Sequence, residues 1–322
     1  EFRRVLFRSH YVVETSREIA PHLTPGAIVI DKSTVPVGTS QMVRDALGRS
    51  DVAVVSNPEF LREASAVHDY FNPPKIVIGT DGGRPSANMK KLHDGIEAPV
   101  FHVPFREAEI TKFVDNSWHA VKVSFANEVG RVCQSLGISA AMVHEIFVSD
   151  TKLNISPYYM RPGGPFGGSC LPKDVRALQY ISSDLGANTP LVDSLLRSNE
   201  AHKHYQFDRL ARPLAPGARV LLVGLAFKAD TDDLRESPAV DLARKFLDAG
   251  FKLEIYDPGL TPDKLVGQNL GYAYAFLPTI DSLLVSKQVA ETSEYDLVVA
   301  TNKLAQSLSL QAETIVDVSA IP

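Results

Sequence analysis

An apolar pattern of helical period runs from Phe105 to about Leu136 and limits what this chain can fold into. Large apolar residues recur there at steps of three and four, the spacing of one helix face. They are Ile110, Phe113, Val114, Trp118, Val121, Phe125, Val129 and Val132. A helix of this length rises roughly 45 Å. Such a helix usually spans between domains or packs against a partner subunit.

Strand-like and helical segments alternate on both sides of this helix. Apolar runs typical of strands lie at 27–34, 52–60 and 75–80, and again at 219–227, 252–258, 295–301 and 314–320. Ser237-Pro238 predicts a helix start and Gly250 its end. More helix is expected from Leu136 to about His202, interrupted by a Gly/Pro-rich loop at 161–172. The alternation predicts parallel α/β sheets, the second of them Rossmann-like.

Composition restricts the function classes. The chain has 322 residues, a length that favours two or three domains. Its net charge is -5 and its basic residues are scattered, which argues against a surface that binds nucleic acid or an anionic membrane. No apolar run is long enough to span a bilayer, and no signal-peptide pattern is visible. The two cysteines, Cys133 and Cys170, form neither a metal-ligand spacing nor a disulfide framework, so we expect no metal and a reducing, cytoplasmic location.

The strongest local signal is the segment GGPFGGSCLPKD at 163–174. Its glycines let the backbone approach a ligand closely, and bulky neighbours do not shield the Cys170 thiol. Lys173 follows three residues later, and a nearby cation favours the nucleophilic thiolate. A turn that contains an incidental cysteine explains the segment equally well when it is taken alone.

A polar stripe on the long helix is the second signal. With Lys112 at zero and 100° per residue, Asn116, His119 and Asn127 fall within about 80° of one another. A solvated face normally mixes acids with bases, whereas this stripe has two amides, a lysine and a histidine with Val123 among them. It suits a polar ligand or an oxyanion, although an ordinary wet face remains an alternative.

Two further segments carry charged residues at expected strand ends. In SNPEFLRE (56–63), Glu59 and Glu63 are four apart and would share a helix face, where paired carboxylates can hold a water or act as a base. A helix N-terminus that simply favours acids explains them better when they stand alone. In GLAFKADTDDLRESP (224–238), Lys228 and Arg235 suit a phosphate, although intervening acids weaken that case.

Five motifs in order resemble the UDP-glucose/GDP-mannose dehydrogenase family. They are STVPVGT (33–39), SNPEFLRE, the Lys112–Asn116 helix, FGGSCLPKD (166–174) and FKADTDDLRESP, and the match runs from Tyr11 to the C-terminus. The resemblance implies a Rossmann NAD-binding domain, a central helical dimerisation domain and a C-terminal nucleotide-sugar domain. It also implies that a sugar CH2OH is oxidised to the acid through a thioester, with two hydrides passed to NAD.

The resemblance also implies roles for individual residues. Cys170 would be the nucleophile, Lys112 and Asn116 would stabilise the oxyanion and hold the water, and Asp174 would assist that water. Glu59 or Glu63 would be the base, with Glu63 also touching the sugar. Contacts to NAD are expected from Thr34, Lys173 and Arg235. Nucleotide-sugar contacts are expected from Glu63, Lys112, Asn116, His119, Asn127, Tyr158, Tyr159, Arg161, Gly164, Gly167 and Lys228.

Segments 116–128 and 152–163 are similar to the GDP-mannose branch of the family, so oxidation of GDP-mannose to GDP-mannuronate is the expected reaction. Tyr158, Tyr159 and Arg161 would then reach the partner's site in a homodimer with shared active sites. Gly164-Pro165 departs from that branch, which more often has a bulkier apolar pair. UDP-glucose and UDP-N-acetylmannosamine remain alternative substrates.

The N-terminal part departs from the family pattern. The family opens with a strand and a G-x-G fingerprint, and none precedes Tyr11, so we expect a chain truncated at its N-terminus that lacks most of its pyrophosphate site. Residues 1–10 are expected to be a non-native junction, with an ordinary helix or linker start as the alternative. The expected domains are then 11–104, the remnant of the NAD-binding domain, 105–205, the central helical domain, and 206–322, the nucleotide-sugar domain.

Two other functions stay open at this point. One is a truncated chain that binds a nucleotide sugar through Lys228 and its C-terminal domain without catalysing anything. A relative of similar domain order that removes a single hydride from a β-hydroxyacid is the other reading. The cysteine in the glycine-rich loop argues against that reading, because a single hydride transfer needs no thiol.

Overall fold

A computed structural model describes residues 9–62, 65–160, 162–227 and 231–319. The chain divides into two compact units, Glu1–Val123 and Ser124–Pro322, and each is described by itself. The division falls inside the long helix. The domain boundaries expected near residues 104 and 205 remain predictions.

The first unit is an α/β layer built on a four-stranded sheet. Its strands are β1 (Ile28–Asp31), β2 (Ala53–Ser56), β3 (Ile76–Thr80) and β4 (Val100–Pro104), in that spatial order. Its helices are α1 (Ser9–Ile19), α2 (Thr39–Leu47), α3 (Ala66–Phe71) and α4 (Ala87–Leu92), followed by the start of α5 (Phe105–Leu136). The three strand positions expected in this part are confirmed, each of these strands being shorter than its apolar run, whereas β4 was not expected.

Alternate side chains of β2 enter two different cores. Val54 packs with Val43 and Leu47 of α2, whereas Val55 packs with Ile78 and Met89 on the opposite side. Successive side chains of a strand point to opposite faces, so an apolar run such as AVV marks a strand that is covered on both faces. This double burial explains why the segment has no polar alternation.

The expectation of a fully parallel sheet is wrong at one pair. β1–β2 and β3–β4 are parallel, but β2 and β3 run antiparallel, with Ser56 opposite Gly79. A parallel connection needs a crossover that returns the chain to the other end of the sheet, usually a helix of a dozen or more residues. In the part of the connection that the structure describes (57–62 and 65–75), the only helix is the six-residue α3, and β3 runs back along β2.

The helical part of the second unit follows the rest of α5. Helix α5 has the bounds that the apolar pattern predicts, and it is followed by α6 (Ala140–Ser149), α7 (Leu171–Asp184) and α8 (Pro190–Ala211). α8 continues beyond the expected end near His202. Buried Glu128 of α5 accepts hydrogen bonds from the amides of Leu191 (2.7 Å) and Val192 (2.9 Å) in the first turn of α8, which otherwise lack intrahelical partners.

The C-terminal part of the second unit is a parallel sheet in the order β6-β5-β7-β8. Its strands are β5 (Arg219–Val223), β6 (Lys252–Tyr256), β7 (Glu294–Ala300) and β8 (Gln311–Asp317), and its helices are α9 (Pro238–Asp248), α10 (Gly267–Phe276), α11 (Ile280–Leu283) and α12 (Lys287–Thr292). The Oγ of Ser237 accepts the Ala239 amide, which confirms the predicted cap of α9. The order reverses beside β5, as in Rossmann-like folds.

The fold class expected from the sequence is confirmed, with an α/β N-terminal part, a helical centre that contains one long helix, and a Rossmann-like C-terminal part. Within the ranges that the structure describes, no helix is long and apolar enough to cross a membrane.

Candidate active site

In the first unit, polar residues meet at the carboxyl ends of β1 and β2, where parallel sheets bind ligands. Asn57 is the buried centre of this group. Its main-chain N–H donates to the main-chain carbonyl of Asp31 (2.8 Å). Its side-chain Nδ2 donates to the Val77 carbonyl (2.9 Å), and its Oδ1 accepts from Lys32 Nζ (2.8 Å). Asn57 therefore links β1, β2 and β3 and fixes the start of the segment that carries Glu59.

Glu59 lies in this segment and is held through both carboxylate oxygens. Its Oε2 accepts the Leu61 amide at 2.6 Å, and its Oε1 lies 3.2 Å from the Nζ of Lys112 on α5. The Lys112 side chain is only 12% exposed and also lies over the Phe60 ring, 5.6 Å from its centroid. The structure thus brings together the expected base and an expected oxyanion residue.

The helix face expected for Glu59 is wrong. Residues 57–62 are not helical, and α3 begins only at Ala66. Pro58 directly after the strand and the main-chain bond from Leu61 to the Glu59 side chain favour an irregular turn over a helix. The other expected carboxylate, Glu63, lies outside the described residues.

Lys32 is a cation that the sequence motifs did not single out. It follows β1 directly and lines the same cleft as Asn57 and Glu59. Burial lowers the pKa of Lys32, while the negative charge of Glu59 opposes that shift. Its position one residue after an apolar strand was the available signal, because that is where the carboxyl edge of the sheet begins.

The loop after β1 carries Thr34, which is exposed. Two buried carboxylates hold its ends. Asp31 Oδ1 accepts the Ser33 amide at 3.0 Å, and Glu109 accepts the amides of Gly38 (2.5 Å) and Ser40 (2.6 Å) at the start of α2. Burial raises the pKa of Asp31, as does the charge of Glu109, while the Ser33 amide opposes the shift.

The polar stripe of α5 is not uniform. Lys112 is mostly buried against Phe60, whereas Asn116, His119 and Asn127 are exposed. The structure therefore places Lys112 beside Glu59 and Phe60 and leaves the other three exposed on the helix surface.

In the second unit, the expected nucleophile stands at the start of a helix. Cys170 is exposed and occupies the N-cap position of α7, and its Sγ lies 3.9 Å from the Oγ of Ser169. The N-cap position places Cys170 at the positive end of the helix dipole. The thiol is thus accessible to an electrophile.

Cationic side chains line the open cavity next to Cys170. The cavity holds about 460 Å³ and includes Lys173, Arg176 and Arg235. Arg235 forms a two-pronged ion pair with Asp233 (2.9 Å for both Nε and Nη2), and this pairing lowers the pKa of Asp233. Lys173 lies 3.5 Å from Asp174, and both side chains are about 70% exposed. Lys173 and Arg235, expected to act together, thus line one cavity.

The glycines of the Cys170 loop are required by close contacts. A Cβ on Gly167 would lie 2.3 Å from the Glu236 carbonyl oxygen, and one on Gly168, whose φ is +79°, would lie 2.5 Å from the Phe227 ring. Gly167 is therefore buried against the chain that precedes α9. Gly164, by contrast, lines a second cavity.

This second cavity lies at the carboxyl ends of β5, β7 and β8, where the strand order reverses. It holds about 220 Å³ and is lined by the start of α9, by Thr301 and Asn302 after β7, and by Gly164 and Pro165 of the Cys170 loop. Nucleotides bind at this place in Rossmann-like sheets. Thr301 and Asn302 were missed by the sequence analysis, although both directly follow an apolar strand.

The remaining expected residues are not drawn into these groups. Tyr158 and Tyr159 are exposed by 57% and 74%, with their rings in edge contact. Arg161 and Lys228 lie outside the described residues. The roles expected for these four residues stay predictions.

Comparison with known proteins gives a consistent identification along the chain. Three domain profiles of the UDP-glucose/GDP-mannose dehydrogenase family match: the NAD binding domain at residues 8–97, the central domain at 106–201 and the UDP binding domain at 221–321. These matches confirm the resemblance and confirm NAD as the expected cofactor.

Individual relatives agree with the profiles. The GDP-mannose 6-dehydrogenase of Pseudomonas putida is 39% identical over 94% of this chain and 72% of its own length. A UDP-glucose 6-dehydrogenase of Bacillus subtilis is 32% identical over 95% and 68%. The solved ternary complex of GDP-mannose dehydrogenase from Pseudomonas aeruginosa superposes with a TM-score of 0.84 at 36% identity, covering 96% of this chain and 74% of that one. The chain therefore belongs to the UDP-glucose/GDP-mannose dehydrogenase family, a family of NAD-dependent enzymes.

Proposed function

We propose that this protein oxidises GDP-mannose at C6 to GDP-mannuronate through a thioester on Cys170. The observation that carries the proposal is the placement of Cys170, an exposed thiol at a helix N-terminus beside Lys173 and Arg235. An oxidation that removed only one hydride would not need this thiol. The substrate choice is supported by the 39% identity to a GDP-mannose 6-dehydrogenase, against 32% to a UDP-glucose enzyme.

The residues around Cys170 fit a cofactor that carries a diphosphate. Lys173, Arg176 and Arg235 supply cationic donors to a single open cavity, and cations of this kind pair with phosphate oxygens. We propose that Lys173 and Arg235 hold NAD there, with Thr34 as a further contact. NAD supplies the acceptor for the two hydrides that leave C6.

The chain's own residues then act on the sugar carbon. The Sγ of Cys170 adds to the aldehyde carbon and forms a C–S bond, while Lys112 and Asn116 stabilise the oxyanion. After the second hydride has left, water attacks the thioester carbonyl. Glu59 takes a proton from that water, with Asp174 assisting, the C–S bond breaks, and the Cys170 thiolate is released with the sugar acid.

The contacts of Glu59 support its role as the base. The Leu61 amide donates to its carboxylate and the Lys112 ammonium forms an ion pair with it, and both contacts hold the oxygens in place for an incoming proton. Lys112 is positioned in turn by burial against Phe60.

The substrate contacts fall on two surfaces. We propose that the cavity where the strand order reverses between β5 and β7, with Gly164 on its wall, takes part of the nucleotide. Gly167 and Lys228 keep their proposed nucleotide-sugar contacts on the basis of the motifs. His119 and Asn127, exposed on α5, are proposed to contact the sugar nucleotide as well. Glu63 and Arg161 keep their proposed sugar-nucleotide contacts on the strength of the motifs alone.

We also propose a homodimer that forms through the central helices. Large apolar side chains are exposed from the end of α5, through α6, to the segment after it, where the surface of a monomer would normally be polar. They are Leu136, Ile138, Met142, Ile146, Phe147, Leu153, Ile155, Tyr158, Tyr159 and Met160. A second copy that covers this surface would bring Tyr158 and Tyr159 to the partner's site. Sedimentation velocity tests this directly, and a monomer at micromolar concentration would contradict it.

The decisive experiment measures the products and the cofactor stoichiometry. The wild type should yield two NADH per GDP-mannose oxidised, and Cys170→Ala should form no sugar acid. Cys133→Ala, at the buried cysteine, is the matched control and should still form acid. Acid formation by Cys170→Ala would eliminate the thioester.

A substrate panel separates the alternatives. GDP-mannose, UDP-glucose and UDP-N-acetylmannosamine are compared under identical conditions, and a higher kcat/KM for a UDP sugar would overturn the substrate assignment. One NADH per substrate would instead indicate a single hydride transfer. Calorimetry that shows sugar-nucleotide binding without NAD binding would indicate a binding protein without catalysis.

A further inference from the structure

The geometry points to Asn199 of α8, assisted by His202, as the residue that positions the nucleophile loop. This loop, residues 162–169, contains no helix or strand and leads directly to Cys170 at the start of α7. A loop of this kind depends on partners elsewhere in the fold to hold its backbone. The catalytic meaning of this positioning rests on the function proposed for Cys170.

Asn199 meets the loop at Phe166 with two hydrogen bonds. Its Oδ1 accepts the Phe166 amide at 2.9 Å, and its Nδ2 donates to the Phe166 carbonyl at 2.8 Å. A side-chain amide is suited to this task, because it offers an acceptor and a donor side by side, as a neighbouring strand would. Aspartate would lose the donor, and leucine would lose both partners at nearly the same size.

His202 lies one helical turn further along the same face of α8. Its Nε2 donates to the Gly163 carbonyl at 2.8 Å, and its ring stacks on Tyr205 with centroids 6.2 Å apart. The two side chains therefore hold the loop at two points three residues apart, and both points precede Cys170.

The opposite side of the loop rests on the segment before α9. The Gly168 amide donates to the Glu236 carbonyl at 3.1 Å, and Gly167 fits closely against Pro238. The loop is thus held between α8 and this segment. Without Asn199, the His202 bond to Gly163 would be the remaining contact described on the α8 side, and Cys170, four residues after Phe166, would shift relative to α7.

Such a shift changes the environment of the Sγ. Cys170 stands at the N-cap of α7, at the positive end of the helix, and such a shift would move its Sγ relative to that end. Asn199 is therefore a positioning residue that acts through the loop backbone.

Two measurements on the intact chain test this assignment without substrate or cofactor. The first is amide hydrogen exchange of peptides that cover 163–170, and the second is the rate of alkylation of Cys170 by iodoacetamide, followed by mass spectrometry. In Asn199→Leu we expect exchange of the Phe166 amide to accelerate about tenfold, because its acceptor is lost. We expect alkylation at fixed pH to slow by about threefold or more.

Asn199→Asp keeps the acceptor for the Phe166 amide, so its exchange and alkylation rates should lie between those of the wild type and Asn199→Leu. This second variant keeps the test valid if Asn199→Leu fails to fold. Gln179→Ala is the matched control, since it removes a bond from α7 to the Val192 carbonyl (3.2 Å) without touching the loop. It should leave both rates unchanged.

The outcomes distinguish this inference from the proposed function. If Asn199→Leu showed wild-type rates of both exchange and alkylation, the inference would be overturned. Faster exchange with an unchanged alkylation rate would also overturn it, because Asn199 would then hold the loop without positioning Cys170. Cys170→Ala should keep wild-type exchange at Phe166. If the thioester chemistry failed its own test, the exchange and alkylation results would still stand.

Discussion

Glu109 offers a quantitative test of how the first unit is held together. It is 3% exposed and accepts the amides of Gly38 and Ser40 through its two carboxylate oxygens. These amides stand at the start of α2, where backbone donors lack intrahelical acceptors. The perturbation is Glu109→Gln, which keeps the shape of the side chain but replaces one acceptor by an NH2 group.

The expected loss follows from the two hydrogen bonds. A hydrogen bond to a charged group contributes about 1.5–3 kcal/mol, and an unsatisfied buried amide costs about 1–3 kcal/mol. Glu109→Gln should therefore lower the free energy of unfolding of this unit by about 2 kcal/mol. Glu109→Ala, which removes both acceptors, should cost about 3–6 kcal/mol.

Urea unfolding followed by tryptophan fluorescence measures this loss. Trp118 is the only tryptophan of the chain and lies on α5 in the same unit as Glu109. With a typical m-value of about 2 kcal/mol/M, the midpoint should fall by about 1 M in Glu109→Gln. Exposed Glu107, two residues earlier on the same helix, is the control, and Glu107→Gln should stay within about 0.5 kcal/mol of the wild type. Equal midpoints for the two variants would refute the reasoning.

Two further predictions concern a buried acid and a glycine. Because burial raises the pKa of Asp31, ionisation of this acid weakens the fold as pH rises through that pKa. Asp31→Asn, which still accepts the Ser33 amide, should be more stable than the wild type at neutral pH. The difference in the free energy of unfolding between Asp31→Asn and the wild type should vanish below the ordinary aspartate pKa of 3.8. A gain in stability that is constant with pH would show that ionisation of Asp31 is not its cause. Gly168→Ala should lose about 1–3 kcal/mol in thermal unfolding because its Cβ meets the Phe227 ring. Gly186→Ala, at φ +66° in open space, should cost only about 1 kcal/mol of backbone strain, and similar losses at both sites would show that the ring contact is unimportant.

Local chemistry determined most of the secondary structure. The apolar period of 105–136 predicted α5 with its observed bounds, and Ser237-Pro238 predicted the start of α9. Both signals act within a few residues of one another, through one helix face or one cap, so no knowledge of the rest of the chain was needed. The motif that contains Cys170 identified the nucleophile candidate for the same reason.

Strand direction depended on more distant parts of the chain. The antiparallel β2–β3 pair and the irregular 57–62 segment follow from how the connection with the short α3 returns to the sheet. An apolar run predicts a strand that is covered on both faces, and this covering is the same for a parallel and an antiparallel neighbour. The run therefore does not indicate the direction of the strand.

The anchors of the candidate site could be found only in the tertiary structure. Glu109 lies about seventy residues from the amides that it binds, and Asn199 lies 33 residues from Phe166. In sequence, each is one more polar residue on a helix, since a hydrogen bond to a distant backbone group leaves no periodic or short-range pattern. The sequence by itself therefore predicted which groups carry the proposed chemistry, and the tertiary structure decided what holds them in place. Helices and caps arise from neighbours in the chain, whereas a loop acquires its shape from the distant groups that satisfy its backbone.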